Sequence, residues 1–444
     1  MNRVRRPKQR ASAPLWGLLF ALSALPFAPD GAEAQETTAE AIDRAAAAVS
    51  DQVIAWRRDL HANPELGNRE FRTASLVAAE LEALGLEVRT EVAHTGVVGL
   101  LRGAKPGPRV ALRADMDALP VTEENDLPFR SKVRTQYLDR EVGVMHACGH
   151  DAHTAILLGV ARVLSGMRDQ LAGEVLFLFQ PAEEGAPPGE EGGAKLMLRE
   201  GVFSEKPTAV FGLHVVPRFV AGEIGLRSGG AMAGSDRLQI TVRGRQTHAA
   251  YPWLGVDPIA VASQIVMALQ RIPNRRVDAR IPAIVSIGAI HGGVRHNIIP
   301  GEVELSGTIR SLDPELAKEL RTKVTETAKK IAEAEGAVAD VAIHIGYPVT
   351  VNDPELTRWA RSVLEGVAGD GRVIEALPAT GAEDFSFFAA EVPGVYYWLG
   401  VRPPDVAESD AAPNHSPHFF VDESALELGV RSLSRLAVRH LAEH

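Results

Sequence analysis

The 444-residue chain has one cysteine, only 5% aromatic residues and no excess of positive charge. A single cysteine excludes an intramolecular disulfide. The net charge of −10 argues against nucleic acid or an anionic membrane surface as the partner, because both demand a basic face. Fixed-period repeats and heptad runs are also absent, which excludes repeat and coiled-coil folds. The remaining composition, with 45% hydrophobic and 23% charged residues, is typical of a globular enzyme.

Long apolar runs are scarce, and the most marked one is near the start of the chain. Residues 1–10 are strongly basic, residues 13–28 are apolar, and Ala-Glu-Ala at 32–34 has small residues at the spacing that signal peptidase recognises. The apolar run is shorter than the ~20 residues of a spanning helix, and a proline interrupts it. We therefore predict a cleaved signal peptide over residues 1–34, no stable membrane insertion, and a periplasmic or secreted protein.

The mature chain has two kinds of organisation. Its ~410 residues exceed what one hydrophobic core usually supports, so two domains are expected. Up to about residue 225, short apolar runs alternate with amphipathic helical stretches, which predicts an α/β fold with a mostly parallel sheet flanked by helices. From 226 to 346 the pattern is strand, helix, strand, strand, helix, strand, the split βαβ plan. We predict a discontinuous domain of residues 35–225 and 347–444, interrupted by an inserted domain.

The single cysteine, Cys148, lies in the stretch HACGHDAHT, residues 146–154. It is two residues from His150 and five from His153. Thiolates and imidazoles bind the same soft-to-borderline metals, which makes Cys148 a candidate metal ligand. The alternative is a small apolar core residue with incidental histidines beside it.

Three predicted strands lead into ionisable side chains. EVLFLFQ runs directly into Glu183 and Glu184, AVFGLHV carries His214 near its end, and VALRA leads to Asp115 and Asp117. Open α/β sheets bind ligands at the carboxyl ends of their parallel strands. The convergence therefore predicts a site at this edge, although an isolated Glu pair is more often a solvated turn.

A fourth segment, NHSPHF, adds His415 and His418 shortly after the predicted late strand GVYYWLG. Taken alone, it is a polar loop with two histidines. Together with the thiol, the other imidazoles and the carboxylates, it completes a donor set large enough for two metal ions. Two-metal hydrolytic sites hold ions ~3.5–4 Å apart, which activate a water molecule and stabilise the developing oxyanion.

Seven motifs, in order along the chain, resemble the signature motifs of the aminoacylase-type metallohydrolases. They are HACGHDAHTA, PAEEG, GLHV, RGRQTHAAYP, HNIIPGEVELSGTIR, GAEDFSFF and HSPHF. This group, subfamily D of peptidase family M20, includes hippurate hydrolases, indoleacetyl-amino-acid hydrolases and other N-acyl-amino-acid amidohydrolases. RRDLHANPELGNREFRT resembles its usual start, so the resemblance covers nearly the whole mature chain. It implies an α/β catalytic domain with two metals and an inserted βαββαβ ferredoxin-like dimerisation domain, and hence a homodimer or higher homo-oligomer.

The resemblance also implies roles for individual residues. The metal ligands would be Cys148, His150, Glu184, His214 and His415. Glu183 resembles the general base, which takes a proton from the attacking water and passes it to the leaving amine. His248 resembles a histidine that stabilises the oxyanion, commonly across the dimer interface. Asn297 and Arg310 match positions that grip the substrate carboxylate, and Asp117 matches one that orients a ligand. An ordinary loop histidine and a solvated strand arginine are the alternatives for His248 and Arg310.

The function that these motifs favour is hydrolysis of the amide bond of an N-acyl amino acid or a small peptide-like conjugate. A thiolate with imidazoles favours zinc, with manganese, cobalt or nickel as alternatives. A metallo-carboxypeptidase or dipeptidase on the same scaffold is a second interpretation, but it needs an extra acidic partner for the substrate's free amine. A periplasmic solute-binding protein is a third, and a serine hydrolase is disfavoured because no G-x-S-x-G elbow follows a strand.

Three details stay open at the level of sequence. The choice of His415 over His418 rests on the HSP spacing alone. His153 either orients a ligand or caps the following helix. The acidic loop APPGEEGGA, residues 186–194, either shapes the pocket for the acyl group or is a plain surface connection.

Overall fold

A computed structural model describes residues 38–444 of the chain. The predicted signal peptide lies outside the described residues, so export stays a prediction. The helices are α1 (Thr38–Ala62), α2 (Phe71–Ala83), α3 (His150–Gly166), α4 (Gly193–Arg199), α5 (Pro258–Leu269), α6 (Arg271–Arg275), α7 (Pro314–Ala334), α8 (Pro354–Ala368), α9 (Phe385–Glu391) and α10 (Leu426–Glu443). Among residues 38–444, none of these helices has the length and apolar character needed to cross a membrane.

The strands alternate with these helices along the chain. They are β1 (Glu87–Val92), β2 (Gly96–Arg102), β3 (Lys105–Asp115), β4 (Arg134–Tyr137), β5 (Arg140–Gly143), β6 (Ala172–Gln180), β7 (Ala209–Val220), β8 (Ile224–Leu226), β9 (Gly229–Met232), β10 (Gly234–Arg243), β11 (Thr247–His248), β12 (Ala283–Gly292), β13 (Ile298–Ile299), β14 (Glu302–Ser311), β15 (Val338–Tyr347), β16 (Thr350–Asn352), β17 (Val373–Glu375) and β18 (Gly394–Arg402).

Eight strands form the large sheet, in the order β1-β2-β6-β3-β7-β18-β8-β17. Its centre is parallel, because β3 pairs in parallel with β6 and β7, and β18 pairs in parallel with β7. Antiparallel pairs are found toward the edges, as β1 with β2, β2 with β6 and β8 with β18. The predicted α/β class with a mostly parallel sheet is confirmed, and so is the return of residues 394–400 as a buried strand.

Both faces of this sheet are buried, as its continuously apolar strands predict. In β6, Val175, Phe177 and Phe179 enter one hydrophobic cluster, whereas Leu176 and Leu178 enter a second cluster on the other face. Helices α1, α3 and α10 pack together over the first face. Each fully buried side chain of this size stabilises the fold by roughly 1.5–3 kcal/mol, so the central strands are held rigidly in register.

A second sheet has four antiparallel strands in the order β12-β14-β10-β15, with α5 and α7 packed against it. It has a hydrophobic cluster of its own, in which Leu238, Ile240 and Val242 of β10 meet Leu320 and Val324 of α7. The order of elements is the predicted strand, helix, strand, strand, helix, strand. The boundaries of residues 226–346 as a separate domain, and its role in dimerisation, stay predictions.

An Asp-Pro pair begins each of the helices α5, α7 and α8. Asp257, Asp313 and Asp353 are the N-cap residues, and each carboxylate accepts a hydrogen bond from a backbone N–H of the first turn. Proline in the next position has no N–H that would need a partner there. These pairs fix where each helix starts, and so help to fix the register of the elements around the site.

Candidate metal centre and active site

The ligand candidates meet at the carboxyl ends of neighbouring parallel strands. Asp115 is the last residue of β3, and Glu183 and Glu184 follow the end of β6. Strand β7 is longer than expected and continues to Val220, so His214 lies in the middle of its strand and not at its end. His214 still reaches the site, because β3 pairs only with the first part of β7.

The turn between Cys148 and His150 depends on Gly149. This residue has a φ of 94°, and a Cβ at its position would lie 2.2 Å from Val215 Cγ2. Only glycine meets both conditions. The cysteine and the histidine therefore flank a turn that is pressed against β7, and α3 begins at His150.

Cys148 lies at the centre of the donor cluster. Its Sγ is 3.3 Å from His214 Nε2 and 3.3 Å from His415 Nε2. His415 Nε2 is 3.0 Å from Glu184 Oε1. Metal–ligand bonds of ~2.0–2.3 Å in a tetrahedral site give separations of roughly 3.3–3.8 Å between ligand atoms. The observed distances are close to this range.

The donor atoms form overlapping groups, each within 4.8 Å. Three of these groups are Cys148 with His150 and His214, Cys148 with Glu184 and His415, and His150 with Glu183 and Glu184. Cys148, His150 and Glu184 each belong to two of these three groups, so the arrangement suits two ions that share a ligand. The structure thus brings together all five ligands that the sequence predicts, with Glu183 beside them.

The electrostatics of the cluster fit divalent cations. Burial raises the pKa of the Cys148 thiol well above its usual value, and the charges of Glu184 and Glu183 raise it further. A coordinated cation reverses this effect, because it deprotonates the thiol. His150 Nε2 is buried without a hydrogen-bond partner in the described part of the chain, and the nearest Asp115 and Glu183 oxygens are 3.8 Å and 4.0 Å away. A cation would supply both the missing partner and the missing positive charge.

Asp117 orients the segment that carries the Glu pair. It accepts hydrogen bonds from the backbone N–H groups of Glu183 at 3.1 Å and Glu184 at 2.9 Å. Its Oδ1 also lies 3.2 Å from His150 Nδ1. This geometry agrees with the orienting role that the resemblance implies, since one buried carboxylate fixes three neighbours of the metal site.

His153 orients the site and does not cap the helix. Gly149 is the N-cap of α3, and His153 lies in its first turn. His153 Nδ1 is 2.6 Å from Asp115 Oδ1, and the N–H of Val215 donates to His153 Nε2 at 2.8 Å. The ring therefore ties the end of β3 to β7 directly behind the donor cluster.

The structure also places His415 and His418 in different surroundings. Asn414 holds the loop in place by donating to the backbone oxygen of Cys148 at 3.0 Å, and His415 follows with a φ of 70°. His418 is exposed and lies 3.2 Å from Glu124 Oε2. Of the two histidines, only His415 reaches the donor cluster, and it is the one that the HSP spacing favoured.

Sequence reasoning missed Arg113, which is fully buried beneath the site. Its Nη1 donates to Asp115 at 2.7 Å, and its Nη2 donates to Glu383 and to Asp384 at 2.8 Å each. The arginine inside the apolar run VALRA could have indicated this buried cluster, because a charge in a buried strand must be paired. The partners were hidden in GAEDFSFF, more than 260 residues away in the sequence.

Glu183 is buried next to this carboxylate cluster. Burial raises its pKa well above the ordinary value, and the charges of Glu383, Glu184 and Asp384 raise it further. Cations at the ligand cluster oppose this shift. A carboxyl that is poised between such opposing effects is suited to accept and release a proton during a reaction.

Asp384 binds both ends of the segment that carries Glu183 and Glu184. Gln180, at the end of β6, donates to Asp384 Oδ1 at 2.7 Å, and the N–H of Ala194 in α4 donates to Oδ2 at 2.8 Å. Residues 181–193 are thus held at both ends by one carboxylate. Within the segment, Glu190 forms an ion pair with Arg69 at 2.6 Å.

The acidic loop after PAEEG also borders a cavity of 580 Å³. Ala186, Pro187 and Pro188 contribute to its wall, together with Glu184. The loop therefore shapes part of this cavity. Most of the ligand candidates line a different cavity.

The cavity at the donor cluster has a volume of 560 Å³, and Arg310 lies in its wall. His248 and Asn297 do not line it. They lie next to each other instead. His248 of β11 pairs with Ile298 of β13, and the backbone N–H of Ala249 donates to the backbone oxygen of Asn297 at 3.1 Å. Within the described chain, the structure brings Arg310 to the candidate active site but leaves His248 exposed and apart from it.

Comparison with known proteins gives one family. The family described as "Peptidase family M20/M25/M40" matches residues 111–439. "Thermostable carboxypeptidase 2" of Saccharolobus solfataricus is 42% identical over 88% of this chain and 96% of its own length. "IAA-amino acid hydrolase ILR1-like 4" of Arabidopsis thaliana is 37% identical over 88% of this chain and 86% of its own.

One solved structure that the chain resembles is described as binding two metals. The chain resembles the YXEP protein of Bacillus subtilis, described as a dinuclear metal binding peptidase from the M20 family, with a TM-score of 0.75 and 33% identity. The match covers 90% of this chain and 100% of that one. Together with the overlapping donor groups, this likeness supports a site for two divalent metals.

Proposed function

The chain belongs to peptidase family M20/M25/M40, and on that premise we propose that it hydrolyses the amide bond of N-acyl amino acids, releasing a carboxylic acid and a free amino acid. The observation that carries the proposal is one cavity of 560 Å³ whose wall includes four of the five ligand candidates together with Glu183 and Arg310. These are the groups needed to hold two cations, to move a proton and to bind a carboxylate.

The chemistry divides between the cations and the side chains. Two divalent ions, when bound, activate a water molecule and polarise the scissile carbonyl. Cys148, His150, Glu184, His214 and His415 would hold them. Glu183 takes the proton of the attacking water and delivers it to the leaving nitrogen, which lets a poor leaving group depart as an amine. Arg310 orients the substrate by its carboxylate, which a guanidinium fork binds through two hydrogen bonds.

We propose zinc as the physiological metal. A thiolate and three imidazoles are the donors that zinc prefers, whereas magnesium and calcium prefer oxygen ligands. Manganese, cobalt and nickel are alternatives, because affinity order alone does not determine which metal a cell supplies.

A carboxypeptidase or dipeptidase activity is a second candidate, favoured by the name of the relative from Saccharolobus solfataricus. Both candidates use the same donor cluster and the same Glu183. They differ in the substrate, because a dipeptide presents a free amine where an N-acyl amino acid presents an apolar acyl group.

The test is metal analysis of the purified protein combined with a screen for free-amine release. The substrates are N-acetyl, N-benzoyl, N-fatty-acyl and indoleacetyl amino acids, with dipeptides alongside. We expect about two metal ions per chain and faster release from N-acyl amino acids than from dipeptides. Faster release from dipeptides would favour the second candidate, and no release from any N-acyl amino acid would refute the proposal.

We also propose that the active enzyme is a homodimer in which His248 serves the site of the other chain. His248 is exposed, and Tyr251, Trp253 and Leu254 just after it are exposed by 51%, 72% and 61%. Large apolar side chains grouped in this way typically mark a protein–protein contact. If a second chain docked there, His248 of each chain would reach the cavity at the donor cluster of the other chain.

His248→Ala is therefore expected to lower kcat by about 10²- to 10³-fold, the effect of removing one oxyanion donor. Metal content and thermal stability should stay unchanged. His344→Ala is the matched control, since His344 is an exposed histidine on β15 of the four-stranded sheet. Mixing His248→Ala chains with Glu183→Gln chains should restore part of the activity, because each hybrid dimer has one intact site. Unchanged rates in His248→Ala would make this residue a bystander, and absence of restoration would refute its action across the dimer.

A further inference from the structure

The wall of the cavity at the donor cluster combines three kinds of chemistry. Arg310 gives a positive charge on one part of its wall, and the metal-ligand candidates form another part. Val216, Ala379 and Trp398 add an apolar part. An N-acyl amino acid has three groups that match these parts, which are a carboxylate, an amide and an acyl group.

The apolar part begins directly beside the donor cluster. Trp398 of β18 lies opposite His214 of β7 in the parallel pairing of the two strands, so both side chains project from the same face of the sheet. Val216 follows His214 by two residues and faces the same side. A carbonyl carbon at the donor cluster therefore has an apolar wall within reach of its acyl substituent.

A second cavity, of 300 Å³, continues from this wall. It shares Val216, Ala379, Trp398 and Asn414 with the first cavity. Its further walls include Pro217, Arg218, Phe219, Glu408, Ala411 and Pro413. The two cavities therefore adjoin one another at this wall, and the second is largely apolar.

Two glycines leave room for the chamber's aromatic wall. A Cβ at Gly225 would lie 2.2 Å from Phe219 Cε2, and a Cβ at Gly400 would lie 2.9 Å from Phe219 Cβ. The Phe219 side chain therefore packs against bare backbone of two strands, and Phe219 and Trp398 are only 6% and 4% exposed. Side chains held this way form a preformed apolar pocket.

We propose that the second cavity binds the acyl group of the substrate and selects apolar acyl groups larger than acetyl, such as arylacetyl and branched-chain acyl groups. The inference rests on the proposed function, because the binding of the substrate carboxylate by Arg310 sets the direction in which the acyl group points. Acetyl ends at the shared wall of Val216 and Trp398. A phenylacetyl ring passes that wall and contacts Phe219.

The experiment compares two substrate series on the purified holoenzyme. The first varies the acyl group on alanine, from acetyl to phenylacetyl, and the second varies the amino acid on a fixed acetyl group, from alanine to phenylalanine. We expect kcat/KM to rise by about 10-fold or more along the acyl series, the usual gain from an added apolar group that a pocket buries. Ala411→Phe, which fills the chamber, should abolish most of that rise.

The matched control is Ala412→Phe, because Ala412 is the next residue, is also half-buried and does not line either cavity. It should keep the wild-type ratio between phenylacetyl and acetyl substrates. If Ala411→Phe changed only the amino-acid series, the cavity would bind the side chain of the amino acid, and the inference would be wrong. If it changed neither series, the chamber would not be a substrate site.

A measurement on the wild-type enzyme tests the same inference without relying on the folding of a variant. Phenylacetate, the acid released from the longer substrate, should inhibit the wild-type enzyme competitively at a concentration at least about 10-fold lower than acetate. Equal inhibition by the two acids would contradict the inference. No amine release from any N-acyl amino acid would instead refute the proposed function, so the two failures are distinguishable.

Discussion

Glu183→Gln is expected to lower kcat by about 10³- to 10⁴-fold, at the upper end of what a positioned proton-transfer group contributes. Glutamine has nearly the same shape and keeps the backbone N–H that donates to Asp117 at 3.1 Å. It cannot accept the proton of the attacking water or carry it to the leaving nitrogen. The measurement is steady-state amine release together with metal analysis, and both ions should stay bound because Glu183 is not among the proposed ligands.

Glu191→Gln provides the control for this variant. Glu191 is an exposed acid of the same segment, paired with Arg199 and remote from the donor cluster. It should retain wild-type turnover. Wild-type rates in Glu183→Gln would show that another group moves the proton, whereas loss of metal in this variant would show that Glu183 is itself a ligand.

Cys148→Ala is expected to remove metal binding, and activity with it. The sulfur belongs to two of the donor groups, so its loss affects both ion positions. We expect metal affinity to fall by more than about 100-fold, beyond the 10- to 100-fold effect of losing a residue that only orients a ligand. Equilibrium dialysis with zinc, followed by metal analysis, measures the change.

Thermal unfolding separates lost binding from lost folding in Cys148→Ala. The metal-free variant and metal-free wild type should unfold at similar temperatures, since alanine is smaller than the buried thiol and introduces no clash. Added zinc should raise the Tm of wild type and leave that of the variant unchanged, because only a ligand that binds the folded state stabilises it. Two tightly bound ions in the variant would contradict the role of the thiolate.

The fold was largely predictable because its signals are local. Apolar runs such as EVLFLFQ lie in buried strands, and α7 ends at Ala334, two residues before the helix-stopping Gly336. The five ligand candidates could also be identified from the sequence, since each lies in a motif near a predicted strand or beside another histidine. Their convergence around Cys148 depends on strand order, and the parallel pairing of β3 with β6 and β7 provides it.

The parts that sequence reasoning missed depend on distant partners. Arg113 is interpretable only with Glu383 and Asp384, which join it through the tertiary fold. His415 was chosen over His418 on the spacing of its motif, but the contact that positions its loop was not visible, because Asn414 reaches the Cys148 backbone through a long-range hydrogen bond.

The carboxylate of Asp384 has a consequence for redesign of the enzyme. It accepts hydrogen bonds from Gln180 and Ala194, which lie at the two ends of the strand-to-helix connection that carries Glu183. Extra residues grafted between Pro188 and Gly189 would therefore lengthen the tip while its anchorage stays in place. Doubling a flexible loop costs only about 0.6 kcal/mol in closure entropy. New recognition elements can be built at this point without displacing Glu183.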